Sequence, residues 1–280
     1  MKKTWNGRIG RLLRKNSSII RYGLFFSAGI IIIYLFTMNA AGSGKKESDH
    51  QGDTITFSGF KWTTKNSNGK QTGPGNNYFS GSKDNIYVDA LGKLHLRITY
   101  RNDKWYCPEV HMLEPLGYGR CYFYLDPLPQ PLDKDVVIGM FLYDREDTSN
   151  FHKEIDIELS TWGKGSGFNT QYVIQPKEDE AHRFLTDLSL PTRHMIELRR
   201  SKVIFRTYYD NSGPDDIPLE IARKTEKPDY EYSSGNERIC INVWLYRTSE
   251  PSNLKEFEVV ISRFEFKQFW YDRLFNPIKN

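Results

Sequence analysis

The sequence predicts an all-β domain, an antiparallel β-sandwich, preceded by one N-terminal transmembrane helix. Three observations predict this arrangement. Apolar and aromatic runs of strand length recur from residue 54 onward, and turns rich in Gly, Pro and Asn separate them. No convincing amphipathic helix interrupts the series, which favours a sandwich over a mixed fold. Before it, residues 22–41 form a stretch without a single charge.

The N-terminal region has the charge pattern of a signal anchor. Residues 1–21 are basic and polar, and no acid occurs before Glu47. The uncharged residues 22–41 are about as long as a helix that crosses a bilayer, which needs roughly 20 residues. Because basic flanks stay in the cytoplasm, we expect a cytoplasmic segment at 1–21 and an extracytoplasmic domain after the anchor. The alternative is secretion after signal cleavage, for which Asn39–Ala41 is a weak cleavage site.

The remaining chain divides into a linker and one domain. Residues 42–53 are small, polar and charged, so they have nothing to bury and are predicted to form a flexible linker. The domain is expected at 54–280. Removing the seven cations of the leader from the 39 Lys and Arg leaves 32 against 35 Asp and Glu. A nucleic-acid-binding domain keeps a basic surface on its folded part, so no nucleic-acid partner is expected.

Each predicted strand coincides with one apolar or aromatic run, and each gap with a turn signal such as Asn68-Gly69 or Gly73-Pro74-Gly75. The charged stretch 214–235 is predicted to be a surface loop. The expected strands are 55–60, 86–88, 94–100, 105–113, 118–125, 136–143, 154–159, 168–174, 194–198, 203–209, 239–246 and 257–266.

One of these strands carries a chemically distinctive pattern, because acidic and aliphatic residues alternate strictly between Lys153 and Leu159. Successive strand residues point to opposite faces, so Glu154, Asp156 and Glu158 share one face. Same-face neighbours lie two residues apart, so we expect the two glutamates to sit roughly 6.6 Å apart at Cα. We expect side-chain tilt to bring the two glutamate carboxyls to the roughly 5–5.5 Å separation of a retaining glycosidase pair.

The three carboxylates favour catalysis over a merely acidic surface. Like charges along one strand face repel each other, and Glu and Asp are poor strand formers. Carboxylates this close cannot all ionise freely, so at least one pKa should rise and leave a proton available at neutral pH. One glutamate can then act as a nucleophile, and the other as a general acid and then a base.

The pattern Glu154–Glu158 resembles the active-site signature of glycoside hydrolase family 16, in the form seen in lichenases and xyloglucan endotransglycosylases. The resemblance is collinear over roughly residues 57–267. Further matching segments are Asn76-Asn77, Val88-Asp89, Gly92–Leu96, Trp105–Val110, Gly117–Arg120, Phe168-Asn169 and Ile241–Trp244.

This resemblance implies a concanavalin A-like jelly roll and a role for each matching residue. It implies Glu154 as nucleophile, Glu158 as acid/base, and Asp156 as the hydrogen-bonding partner that tunes the nucleophile. Asparagine, carboxylate and indole groups suit sugar hydroxyls and the apolar faces of sugar rings. From the residues alone, Trp162 is either a sugar platform or a loop plug. The residues implied to line a concave cleft are Asn76, Glu109, Asn169, Asn242 and Trp244.

The sequence departs from the lichenase pattern at several points. The cysteine that pairs with Cys107 in lichenases is absent, which leaves either a Cys107–Cys121 bridge or buried free thiols. Gln171 replaces a lichenase tyrosine, and residues 194–200 lack the expected Trp. No cofactor is expected to be required. Relatives often bind a structural calcium, but the sequence identifies no ligands for one.

The sequence therefore predicts a membrane-tethered retaining endo-β-glycosidase that hydrolyses a β-glucan or a related β-linked glycan outside the cytoplasm. The nearest alternative is a transglycosylase that remodels a wall or capsular glycan. Another alternative, from a different class, is a lectin-like carbohydrate-binding domain without turnover, since one fold can host unrelated functions.

Overall fold

The structure, a computed structural model, describes residues 51–210, 218–227, 237–247 and 250–270. The described residues form two large β-sheets that pack face to face. The predicted leader at 1–21, the anchor at 22–41 and most of the linker lie outside these ranges. Within the ranges, no helix is long and apolar enough to cross a membrane.

The first sheet has eight strands, and every neighbouring pair in it is antiparallel. In spatial order the strands are β1 (Gln51–Phe57), β2 (Phe60–Lys65), β8 (Glu109–Met112), β17 (Arg238–Leu245), β10 (Val136–Tyr143), β11 (Ile155–Leu159), β12 (Thr170–Ile174) and β13 (His182–Phe184).

The second sheet has ten strands, and β5 (Ile86–Val88) joins it by pairing with β6. Its one described parallel pair is β4 with β7. The other nine strands, in spatial order, are β16 (Leu219–Glu226), β15 (Lys202–Tyr209), β14 (Thr192–Arg199), β9 (Gly119–Leu125), β18 (Phe257–Gln268), β6 (Leu94–Arg101), β7 (Lys104–Cys107), β4 (Asn77–Phe79) and β3 (Gln71–Thr72).

The core lies between the two sheets and is built from the alternating positions that the sequence pattern marks. Ile155, Ile157 and Leu159 of β11 are fully buried and point into it. Inward-facing residues of the second sheet, such as Phe123 and Phe205, complete the core. Burying an aliphatic or aromatic side chain of this size stabilises a fold by about 1.5–3 kcal/mol, so this layer holds β11 firmly in register.

The predicted antiparallel sandwich is confirmed, with corrections to individual elements. The predicted strand 55–60 is a hairpin, because Ser58 and Gly59 turn the chain with left-handed φ angles of 51° and 80°. The predicted strand 105–113 is two strands in different sheets, with Pro108 between them. Proline cannot donate a ladder hydrogen bond, which accounts for the break.

Two boundary predictions were also wrong. The linker was expected to extend to residue 53, but β1 begins at Gln51. The surface loop expected at 214–235 contains the eight-residue strand β16. Its sequence is mostly polar, because it lies at the edge of the second sheet and buries little of either face.

A buried histidine in the second sheet gives a testable pH dependence. His194 is fully buried, and its ring nitrogens lie 2.9 Å from Thr207 Oγ1 and 3.0 Å from Thr192 Oγ1. Burial lowers its pKa from 6.5 to about 3, because the charged ring would be desolvated. The folded state therefore keeps this histidine neutral, while the unfolded chain takes up a proton below about pH 6.5.

We expect His194 to make the protein less stable as pH falls. Between about pH 6 and pH 4, its share of the unfolding free energy should fall by up to about 1.4 kcal/mol per pH unit. Urea unfolding of wild type and of His194→Gln across this range measures that share. The variant's stability should fall less steeply with decreasing pH, and parallel curves for the two proteins would contradict the assignment.

Candidate active site

The three acids of the sequence pattern lie at and beside β11, near the middle of the first sheet. Asp156 and Glu158 point to the face opposite the core, which we call the site face. The strand begins at Ile155, one residue later than predicted, so Glu154 lies just before β11. The Glu154 backbone carbonyl still accepts a hydrogen bond from the Gln175 backbone N–H at 3.1 Å. This bond continues the strand pairing into the chain just beyond β12.

A six-residue 3₁₀ segment, Thr148–Lys153, leads into Glu154. Its last three residues, Phe151, His152 and Lys153, adopt left-handed φ angles of 51°, 57° and 49°. Residues other than glycine rarely adopt left-handed φ angles, because this backbone conformation costs free energy. Stacking of His152 on Tyr143 at 4.5 Å, and an ion pair of Lys153 with Asp147 at 3.2 Å, hold this turn in place.

Strand register aligns residues from six strands in one row across the site face, and five of the six have polar side chains. Each row member is paired with its neighbour on the next strand, so the row runs perpendicular to the strands. From β8 to β13 the row consists of Glu109, Asn242, Gly139, Glu158, Gln171 and Arg183.

Gly139 fits this row because it has no side chain. A Cβ atom at this position would lie 2.5 Å from Asn242 Oδ1, which is far inside van der Waals contact. The glycine therefore leaves room for the Asn242 amide to lie over β10, between Glu109 and Glu158.

The three acids have strongly perturbed electrostatics. Burial and the nearby Glu158 raise the pKa of Glu154 to about 8. Burial also raises the pKa of Glu158, to about 7, although hydrogen bonds oppose the shift. The pKa of Asp156 is well above its ordinary value, because it is buried between the two glutamates. The predicted rise in pKa is confirmed, and the group keeps at least one proton at neutral pH.

A shared proton is consistent with the contacts among these acids. Glu154 and Asp156 are hydrogen-bonded to each other, and two carboxyl groups can bond in this way only when one of them is protonated. Gln175 Nε2 donates to Asp156 Oδ2 at 3.2 Å.

The separation of the two glutamates depends on their side chains. The expected Cα separation of roughly 6.6 Å is wrong, because the two glutamates are four residues apart and Asp156 lies between them, which is about 13 Å of Cα travel on a regular strand. Their carboxyls can approach only if both side chains lean toward Asp156. The expected separation of roughly 5–5.5 Å between the two carboxyls stays a prediction.

Glu109, at one end of the row, is an ionised carboxylate rather than a protonated one. Burial alone would raise its pKa, but Lys65 and His111 outweigh that effect and lower it to about 2. Lys65 Nζ lies 3.2 Å from Glu109 Oε1, and His111 Nε2 lies 2.7 Å from the same oxygen. Asn242 Nδ2 donates to Oε2 at 3.2 Å. Glu109 is 3% exposed, which excludes a surface charge.

Glu158, in the middle of the row, accepts two hydrogen bonds at one oxygen. Gln171 Nε2 donates to Oε2 at 2.5 Å, and Trp162 Nε1 donates to the same atom at 3.4 Å. Arg183 Nε donates to Gln171 Oε1 at 2.9 Å, and its guanidinium lies 5.8 Å from the Trp162 ring centroid. Trp162 is half-buried, and its hydrogen bond to Glu158 is its contact with the acids.

Trp244 also belongs to the site face. It lies two residues beyond Asn242 on β17, is half-buried, and packs against the edge of the core. Gly75 comes so close that a Cβ there would lie 2.7 Å from Trp244 Cε3. One face of the indole is therefore covered by the loop that precedes β4.

Two predicted cleft residues have side chains engaged elsewhere. Asn76 is exposed in that same loop, and its amide donates to Gln71 Oε1 at 3.3 Å. Asn169 bonds the Thr186 backbone in both directions, through its Nδ2 and its Oδ1, each at 2.8 Å. Sugar contacts by these two residues stay predictions.

Several residues of the site were not predicted as such. Lys65, His111, Gln175 and Arg183 come from strands or turns whose sequences carry no catalytic pattern. Gln171 was noted only as a departure from lichenases. Only strand pairing reveals them. Lys65 of β2 continues the pairing with β8 to Glu109, and His111 lies two residues beyond Glu109. Gln175 follows β12 opposite Glu154, and Arg183 of β13 pairs with Gln171.

The described residues include all three cysteines and show neither a disulfide nor a metal-binding group. Cys107, Cys121 and Cys240 are buried free thiols, so the alternative without a bridge holds. Burial raises the pKa of each thiol, as expected for unreactive cysteines. In the part of the chain that the structure describes, no group of His, Cys, Asp or Glu is arranged to hold a metal ion.

Comparison with known proteins gives a structural match without a sequence match. No family model matches the sequence. No curated protein matches it either. Solved structures do match, and the aligned region spans most of each matched chain. Among them is a β-glucanase of Bacillus licheniformis, with a TM-score of 0.54 and 15% identity, covering 74% of this chain and 92% of its own.

Two further structures match similarly. A laminarinase from Flavobacterium sp. UMI-01 has a TM-score of 0.54 at 13% identity, covering 74% of this chain and 93% of its own. A protein of Mycobacterium tuberculosis, described as an immunostimulatory antigen and pseudo β-1,3-glucanase, has a TM-score of 0.53 at 17% identity, covering 74% and 91%. At such identities the likeness shows the fold alone. The chain has the jelly-roll sandwich of glucanases.

The perturbed acids should destabilise the folded protein at alkaline pH. Above its folded pKa of about 8, Glu154 carries a charge that burial and Glu158 disfavour. Below about pH 4.5 the carboxyl is protonated in both states, and this cost vanishes. Glu154→Gln should therefore raise the unfolding free energy at pH 8–9 and have little effect at pH 4.

Urea unfolding at these two pH values measures the difference. Glu109→Gln is the matched control, because its carboxylate is stabilised by the charge of Lys65 and its loss should destabilise the protein instead. His111 is neutral at pH 8–9, since burial lowers its pKa. Destabilisation by Glu154→Gln at pH 8–9 would contradict the assignment.

Proposed function

We propose that this protein is a retaining endo-β-glycosidase of the family 16 type, which hydrolyses a β-glucan or a related β-linked polysaccharide. One observation carries the proposal: Glu154, Asp156 and Glu158 meet on the site face with raised pKa values. Perturbed carboxyl groups beside half-buried indoles are typical of a glycosidase site. The structural likeness to proteins described as glucanases supports the same class.

The residues can be given roles in a double displacement. Because the pKa of Glu154 is the higher of the two, Glu154 must first pass its proton within the group of three acids, so that Glu158 is protonated and Glu154 is ionised. In the first step, the Glu154 carboxylate then attacks the anomeric carbon while Glu158 protonates the departing glycosidic oxygen. In the second step, the Glu158 carboxylate removes a proton from water, which attacks the same carbon and releases Glu154. Asp156 is hydrogen-bonded to Glu154 and can return a proton to it or withdraw one as its charge changes.

Asn242 is suited to bind a sugar hydroxyl beside the acids. Its Nδ2 must face the Glu109 carboxylate, which only accepts hydrogen bonds. Its Oδ1 therefore points away from Glu109, over Gly139, and this buried oxygen has no partner among the described residues. A donor from the substrate would satisfy it, and an unsatisfied buried acceptor costs about 1–3 kcal/mol. Trp162 and Trp244 are proposed as stacking platforms.

We propose further that residues 22–41 anchor the domain to a membrane and keep it outside the cytoplasm. The support is the sequence alone: a basic flank followed by twenty residues without charge. Tethering suits an enzyme that acts on a wall or capsular polymer.

A carbohydrate-binding protein without turnover is the second candidate. One structural neighbour is described as a pseudo β-1,3-glucanase, so this fold is compatible with lost activity. The complete set of acids favours turnover, since a purely binding protein gains nothing from three carboxyls that repel each other.

Sugar release by the purified domain, residues 51–280, tests the proposal. We would offer β-1,3, β-1,4 and mixed-linkage glucans and galactans, and measure new reducing ends. Glu158→Gln should slow release by about 10²–10⁴-fold, because it removes the general acid. Glu154→Gln should abolish it, because no glycosyl-enzyme can form.

The controls separate the alternatives. Glu146→Gln changes an acid of the preceding loop and should retain full activity. Longer oligosaccharides among the products would identify a transglycosylase. Binding of a polymer by wild type and both variants without any release would contradict hydrolysis and favour the binding protein.

A further inference from the structure

We infer that Arg183 and Gln171 form a positioning relay, which fixes the orientation of the Glu158 carboxyl group and leaves Oε1 as the oxygen that exchanges the proton. The inference rests on the proposed role of Glu158 as acid/base. It concerns residues that the family resemblance does not assign, since Gln171 stands where lichenases have a tyrosine.

The relay is built from directly opposed residues on three neighbouring strands. Glu158 of β11 pairs with Gln171 of β12, and Gln171 pairs with Arg183 of β13. The contacts follow the same order, with Arg183 Nε 2.9 Å from Gln171 Oε1 and Gln171 Nε2 2.5 Å from Glu158 Oε2. Gln171 is 4% exposed, so water does not compete for its amide.

The chemistry of arginine gives the relay a fixed direction. A guanidinium group has donors only, so it can bond the amide oxygen of Gln171 and never the amide nitrogen. The amide is thereby held with its NH₂ group toward Glu158. Without Arg183, the glutamine could rotate by 180° and present its oxygen to the acid, which would favour the protonated carboxyl instead.

Trp162 closes the arrangement on the other side. Its indole N–H donates to the same Oε2 atom, and Arg183 lies against its ring. Both donors thus occupy one oxygen of Glu158. The other oxygen, Oε1, has no described donor and is available to hold the proton that the glycosidic oxygen receives.

Charged groups around Glu158 act in both directions. Burial favours the protonated form most, and Glu178 beyond β12 adds to it. Glu154 and Asp156, on the same chain segment, are repelled by a Glu158 carboxylate and repel it in turn. Arg183 from β13 favours the carboxylate. From β10 the facing residue is Gly139, which carries no charge. The relay therefore opposes the surrounding acids and permits Glu158 to ionise in the second step of the reaction.

The titration of Glu158 itself is the decisive measurement, because it needs no substrate. Carboxyl ¹³C shifts of glutamate-labelled protein, assigned with Glu158→Gln, report that titration directly. In Gln171→Met the midpoint should move upward by about one pH unit, because a hydrogen bond to the charged form is lost. Arg183→Met should move it in the same direction.

Three variants distinguish the relay from a simple charge effect. Arg183→Lys keeps the charge but lacks the Nε donor, so it should still shift the midpoint upward, by less than Arg183→Met, which also removes the charge. The double variant Gln171→Met/Arg183→Lys, which keeps the charge, should shift it no further than Gln171→Met alone, because the two links act in series. Arg223→Met, which changes an exposed arginine of β16, should leave it unchanged.

An unshifted midpoint in Gln171→Met, or in Arg183→Met if the first variant fails to fold, would overturn the relay. So would a full retention of the wild-type midpoint by Arg183→Lys, or additive shifts in the double variant. If wild type releases no sugar from any polymer, the proposed function fails while the titration still decides the relay. In an active enzyme, Gln171→Met should also move the alkaline limb of kcat/KM upward.

Discussion

The site depends on one constraint, which is the two-residue alternation of β11 against a fully buried core. Ile155, Ile157 and Leu159 are held between the sheets, and this fixes which way every other residue points. A slip of one residue would bury the acids and expose the aliphatic residues, so the register is strongly determined. The packing energy of the inner face thus holds together carboxyls that would otherwise separate.

Alternation places the acids together, but neighbouring strands make them different. Asp156 has Gln175 as its donor, Glu158 has Gln171 and Trp162, and Glu154 is bonded to Asp156. Three chemically similar groups on one face therefore meet three different sets of partners. Such differences in environment are how one site supplies an acid and a nucleophile at the same pH.

The sequence was sufficient for whatever depends on local periodicity. Strands with strong apolar patterns, such as Val136–Tyr143 and Ile86–Val88, were predicted with their observed bounds, and the acidic face followed from alternation. Features that depend on pairing between distant segments were missed. Nothing within the short strand β13 marks Arg183, since its importance comes from the register of two strand pairs. The polar edge strand β16 was missed because it buries little, and burial is what produces the pattern.

The ionised Glu109 adds a fixed negative charge to the site face. It is a buried carboxylate on the same face as the acids, yet Lys65 and His111 keep it charged. Its charge contributes to the raised pKa of Glu154, so it reaches the catalytic candidates. In the proposed reaction, positive charge develops on the sugar ring near the transition state. A fixed negative charge stabilises that state more than the neutral substrate, and such differential stabilisation is what lowers a barrier. The same charge that makes Glu154 harder to ionise would thus favour the step that Glu154 begins.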